Sequence, residues 1–117
     1  MRKSYRVKSE QDFSMVFNHG KSKANRQFVI YHLPKEQAHF RIGISVGKKI
    51  GNAVHRNAVK RKVRQAIYEL KPYIKSDVDF IVIARKPADK MSTAEVKSSL
   101  IHAMRLSHLF TEDPSHP

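Results

Sequence analysis

Apolar residues along this chain fall at helical spacing in three stretches, and at strand spacing or in unbroken runs in three others. Between Ser9 and Gly20, Phe13, Val16 and Phe17 stand at i, i+3 and i+4 and predict one face of a short helix. Ser9 with Asp12 three residues on marks its start, and Gly20 its stop. Gln27 to Leu33 is rich in β-formers and ends at Pro34, so it reads as a strand. Phe40 to Val46 alternates apolar with small or polar residues, the pattern of a half-buried strand. The short connection Lys35 to Ala38 predicts that these two strands form an antiparallel hairpin. A helix over Asn52 to Leu70 follows, ended near Pro72. Val78 to Ala84 is a continuous apolar run, as expected of a central strand covered on both faces. After a loop over Arg85 to Ser92, Ser92 or Thr93 with Glu95 opens a last helix. Val96, Leu100, Ala103, Met104 and Leu106 supply its core face. The order αββαβα predicts a single α+β domain over residues 1–110, helices packed on one small sheet. Residues 111–117, with two prolines and two acids, read as a disordered tail.

Charge adds a partner to this picture. The 117 residues hold 23 Lys and Arg against 10 Asp and Glu, a formal net charge of +13. Such an imbalance costs self-repulsion that a polyanion relieves, and each phosphate neutralised releases condensed counterions. Nucleic acid is therefore the expected partner. The chain has no cysteine, which excludes a thiolate metal site, a catalytic thiol and a disulfide framework. No stretch approaches the roughly 20 apolar residues that span a bilayer, and no apolar run follows the basic N-terminus. A cytoplasmic protein is expected, with no membrane partner.

The charge is concentrated on the long helix. At about 100° per residue, Val59, Val63, Ala66, Ile67 and Leu70 gather into one apolar arc. Arg56, Lys60 and Arg64 form one i, i+4 series beside it, and Asn57 with Arg61 another. Like charges at that spacing destabilise a helix by roughly 0.2–0.5 kcal/mol per pair, and no acid interleaves them before Glu69. A helix shaped only for solubility mixes signs. A solvated basic face and a face that meets RNA or DNA are both consistent with the pattern. The uncompensated stripe favours contact, since Arg offers a planar fork for phosphate oxygens and Lys a mobile point charge.

Nothing in the sequence assembles a catalytic centre. The acids are scattered, and the close-set pair Asp77-x-Asp79 more often marks a strand entrance than a two-metal site. The seven histidines show neither i, i+4 pairing nor a His-Glu-x-x-His arrangement. No catalytic and no metal-ligating residue is expected.

The stretch Gly51-Asn52-Ala53-Val54-x-Arg56-Asn57-x-x-Lys60-Arg61-x-x-Arg64, preceded by Ser45-Val46-x-Lys48-Lys49, resembles the signature of the bacterial ribonuclease P protein subunit family. Arg6 with Asp12-Phe13, Phe17 and Gly20 resembles that family's first helix. Ala24-Asn25-Arg26-Gln27-Phe28-Val29-x-Tyr31 is similar to its first strand, and Ile83-Ala84-Arg85-Lys86-Pro87-Ala88 to the segment after its last. The likeness covers about residues 5 to 106, and Gly47 departs from it where many relatives carry Ser.

The resemblance implies an αβββαβα fold like that of a ribosomal protein domain, with a small mixed sheet and a left-handed βαβ crossover. The extra strand would lie within residues 22 to 46. It implies an accessory subunit of an endoribonuclease whose RNA subunit performs Mg²⁺-dependent hydrolysis, removing the 5′ leader of precursor tRNA. Implied partners are that RNA, one per protein, and the precursor tRNA, with no small-molecule substrate. No cofactor is held by a protein motif, Mg²⁺ being required by the holoenzyme. By the same resemblance, Arg56, Asn57, Lys60, Arg61 and Arg64 would dock the catalytic RNA. Phe13, Phe17 and Tyr31, with Lys48 and Lys49, would hold the leader in a cleft; from spacing alone the three aromatics read as core. A ribosomal or general RNA-binding protein without a catalytic role is the alternative. A helix-turn-helix DNA reader would need a helix where Phe40 to Val46 reads as strand. A membrane-surface helix would need Trp or Phe, which the basic helix lacks.

Overall fold

A computed structural model describes residues 3–114 of the chain. Its helices are α1 (Glu10–His19), α2 (Ala53–Leu70) and α3 (Thr93–Leu106). Its strands are β1 (Lys21–Ala24), β2 (Phe28–Pro34), β3 (Arg41–Val46) and β4 (Val78–Ala84). The order is αβββαβα, an α+β domain with three helices and a four-stranded mixed sheet. Each helix starts at or beside the place the sequence marks, with Ser92 and not Thr93 as the cap of α3. The side chains of Ser9, Asn52 and Ser92 accept the backbone N–H groups of Asp12, His55 and Glu95. Ser92 and Glu95 complete a capping box.

The sheet runs β1-β2-β4-β3. β2 is antiparallel to both β1 and β4, and β3 is parallel to β4. The expected β2–β3 hairpin does not form: β4 lies between them. β4 is buried on both faces from Val78 to Val82 and so takes the centre, with a neighbour on each side. The six residues between β2 and β3 easily step over one strand, two inter-strand spacings being only about 10 Å. β1 is exposed at all four positions, so no apolar periodicity announces it.

Alternation assigns the two faces. Phe28, Ile30, Ile42, Phe80 and Val82 join Val59, Val63, Ile67, Leu70, Val96, Leu100 and Met104 in one core between the sheet and α2 with α3. Leu106 was expected there and is instead 40% exposed. It stands ten positions after Val96, about 80° off the stripe, and Leu109 fills the core place just past the helix. On the opposite face the register lays Tyr31, Ile81 and Gly43 in one row, and Val29, Ile83 and Ser45 in the next. α1 covers the first row with Val16, which like Ile81 is fully buried. A helix of ten residues is only about 15 Å long, and the second row stays half-buried or exposed.

α1 is also pinned electrostatically. Arg41 donates through its guanidinium to both carboxylate oxygens of buried Asp79, one at 3.0 Å, and reaches Asp12 of α1 at 3.3 Å. Gln37 donates to Asp79 at 2.9 Å. Burial alone would raise the Asp79 carboxyl, but Arg41, Gln37 and Lys35 outweigh it and hold it below its ordinary range. Asp79 is therefore a strand-entrance anchor. Gly20 ends α1 at φ −83°, outside the left-handed region usual for a glycine stop. Its requirement is space: a Cβ there would sit 2.5 Å from the backbone oxygen of His32. At Gly47 a Cβ would meet nothing within 4 Å, so a serine would fit there without disturbing the turn.

Ordered contacts pass the expected boundary at residue 110. Thr111 N–H donates to the Tyr73 carbonyl at 2.7 Å, and Arg105 binds Asp113 at 3.1 Å. The remainder of the expected tail, residues 115–117, lies outside the described residues.

Candidate nucleic-acid interface

The five apolar residues of α2 predicted to face the core are all buried, which fixes where the basic stripe points. Asn57, Arg61 and Arg64 are exposed, and Arg56 and Lys60 are half-buried. Among the described residues, none of Arg56, Lys60, Arg61 and Arg64 pairs with an acid. The Nε of Arg56 is buried without a hydrogen-bond partner, a donor left at some cost unless another molecule engages the guanidinium. The stripe is thus a row of cations that the protein itself leaves uncompensated.

Three aromatic rings cross the outer face of the sheet. Phe13 and Phe17 on α1 lie 6.5 Å apart between centroids, and Phe17 meets Tyr31 of β2 edge-on at 4.9 Å. Val16, between the two phenylalanines, faces the sheet, so Phe13 and Phe17 flank that contact and are not sealed beneath it. Phe17 is 40% exposed, while Phe13 and Tyr31 are half-buried. Phe13 reaches over β3 because position 43 is glycine: a Cβ there would lie 2.6 Å from its ring.

The two predicted sets meet. Phe13 lines one cleft of about 170 Å³ together with Lys60 and Arg64 of α2, against Ile42, Gly43 and Ile44 of β3. From sequence and resemblance these side chains belong to separate surfaces; the fold sets them side by side. Lys48 and Lys49 do not line that cleft; they are exposed on a 3₁₀ turn (Lys48–Ile50) just before α2. Gly51, at φ +146°, makes the bend from that turn into the helix, a conformation that side chains rarely adopt.

Two lining residues escaped the sequence reading as site residues. Arg6 reaches the cleft because its neighbour Val7 donates to the Ile42 carbonyl, laying the N-terminal segment along β3. Tyr68 is 62% exposed and lines a shallow depression with Arg61, Arg64 and Gln65. Its signal was readable, since it stands four residues after Arg64 and seven after Arg61 on the same stripe.

The ribonuclease P family model matches residues 1–107. The chain belongs to the ribonuclease P protein family. The ribonuclease P protein components of Levilactobacillus brevis and Lactiplantibacillus plantarum are 59% and 61% identical to it. The alignments cover 98% of both chains in the first case, and 97% of this chain with all of the relative in the second. Among solved structures, the RNase P protein of Staphylococcus aureus superposes with a TM-score of 0.86 at 45% identity, over 93% of this chain and 100% of that one. The RNase P protein of Thermotoga maritima gives 0.78 at 31% identity, over 86% and 96%. The ribonuclease P protein fold thus accounts for the strand that periodicity did not show, and the order of the four strands.

Proposed function

We propose that this chain is the protein subunit of ribonuclease P in tRNA processing, binding both the catalytic RNA and the 5′ leader of precursor tRNA. In this reading the RNA performs the Mg²⁺-dependent hydrolysis that frees the mature 5′ end, and the protein supplies affinity and alignment. One observation carries the reading: a cation row unpaired among the described residues shares a cleft with Phe13, the first of three neighbouring, partly exposed aromatic rings. Guanidinium and ammonium groups meet phosphates of either strand, whereas stacking platforms select unpaired nucleotides such as a leader. Arg56, Asn57 and Arg61, on the outer side of α2, would contact the catalytic RNA. Phe13, Phe17 and Tyr31 would take leader bases, with Lys60 and Arg64 between the two RNAs. Lys48 and Lys49 would meet the leader backbone near the N-terminal end of α2.

Among the described residues, no group of three or more His, Cys, Asp or Glu side chains is placed to hold a metal ion. In the proposed reading the Mg²⁺ ions would be held by the RNA of the holoenzyme. No described helix is long and apolar enough to cross a membrane, and the proposed site of action is the cytoplasm. Membership in the family weighs against a ribosomal protein of similar charge.

The test is reconstitution with the cognate catalytic RNA, measuring affinity for precursor and for mature tRNA. Phe17→Ala or Tyr31→Ala should weaken precursor binding by about 1–3 kcal/mol per lost stack and leave mature tRNA binding nearly unchanged. Equal losses for both RNAs would refute the leader assignment. Arg61→Ala and Arg64→Ala should each lower the salt slope of holoenzyme assembly by about one.

A further inference from the structure

The opposite side of the sheet carries a cationic groove that neither RNA surface uses. It is walled by Lys21 and Lys23 of β1, His32 of β2, Lys75 and Asp77 ahead of β4, and His108 just past α3, around a volume of about 420 Å³. Lys21 pairs with His32 across the β1–β2 ladder, and Lys23, two residues on, projects to the same side. Among the described residues none of the three lysines forms an ion pair. Asp77 lines the groove, and Glu112 and Asp113 line an adjoining depression that shares Lys75 and His108, where Asp113 is engaged by Arg105. The C-terminus of α3 adds only about half a negative charge, too little to balance the lysines. Burial, then Lys21, His108 and Lys75, push the His32 imidazole below its ordinary range, so the cluster already repels protons. An anion seated there would reverse that repulsion.

The position of the groove points to its occupant. β1 is the free edge of the sheet. Its Ser22 and Ala24 pair with Tyr31 and Val29 on the aromatic side, while Lys21 and Lys23 face the groove. A strand of RNA leaving Tyr31 over this edge meets the two lysines next. No Phe, Tyr or Trp lines the groove, and no residue of α2 does. We propose that this groove holds the phosphodiester backbone of the distal leader, the nucleotides beyond those stacked on the aromatic rings, as the strand turns over β1. The proposal rests on the placement of the leader against Phe17 and Tyr31.

The experiment uses the reconstituted ribonucleoprotein and precursor tRNAs with short leaders, confined to the aromatic run, and with long leaders that pass it. Wild type should bind the long-leader substrate more tightly, and Lys21→Ala/Lys23→Ala should abolish that advantage. The double variant should also lower the long-leader salt slope by about 1.4, two contacts at roughly 0.7 each for a single strand. Because a seated phosphate favours the protonated His32 imidazole, lowering the pH from 8 to 6 should enlarge the long-leader advantage in wild type but not in His32→Gln. Loss of affinity equal at both leader lengths, or loss of assembly with the catalytic RNA, would assign the groove to another RNA and overturn the proposal. An unchanged long-leader advantage in the lysine variant would overturn it too, as would a groove that takes only inorganic phosphate. A Phe17→Ala/Tyr31→Ala control that leaves short-leader binding intact would instead sink the underlying placement, so the two failures are distinguishable.

Discussion

Position 43 shows how one missing atom shapes the candidate site. An alanine Cβ there would lie 2.6 and 2.8 Å from two ring carbons of Phe13 and 3.3 Å from Ile81, closer than packed carbon atoms tolerate. Gly43→Ala should therefore displace the Phe13 ring and destabilise the fold by about 1–3 kcal/mol, read from urea denaturation. Affinity for leader-bearing RNA should fall with it, since the same ring lines the cleft. Much at this scale was legible beforehand. The helix starts at Ser9 and Ser92 and the apolar arc of α2 follow from spacing, because local hydrogen bonds and a single periodicity decide them. The exposure of Phe17 came from the family resemblance and not from spacing, since an i, i+4 aromatic pair looks the same whether a sheet covers it fully or only in part.

Among the elements, α1 depends most visibly on charge. Its first turn is tied to the sheet through Asp12, Arg41 and Asp79, and the Asp79 carboxyl titrates below its ordinary range. A depressed carboxylate contributes stability that is complete above its unfolded-state pKa and is lost as pH falls through the folded value. The urea midpoint of the wild type should accordingly drop from about pH 5 downward. Asp79→Asn should be less stable than wild type at neutral pH and flatter across that acid range. A variant as acid-sensitive as the wild type would show that other carboxylates control the transition. Element order was readable except where side chains are uninformative. β1 carries Lys-Ser-Lys-Ala, fully exposed, and offers no apolar signal at all. The hairpin expectation failed because adjacency in sequence competes with the demand of β4, apolar on both faces, for two partners.

For the whole molecule, a net charge of +13 on a domain with a radius of gyration of 13.2 Å makes the folded state self-repelling. Sulfate should raise the melting temperature by preferential binding to the folded form, which adds about 2.7 kcal/mol of stability at a hundredfold excess over its dissociation constant. Sodium chloride at matched ionic strength should raise it less, and equal shifts would reduce the effect to simple screening. The two borders of the sheet are finished differently. Arg6 and Val7 lie along β3 and occupy part of its outer hydrogen-bonding row. Among the described residues β1 has no such neighbour, and its backbone groups form a template that another polypeptide could extend. Two of its four side chains are lysines, so a second copy laying its own β1 alongside would bring like charges into register. The basic residues of this short strand thereby discourage fibrous self-association at a border left uncovered.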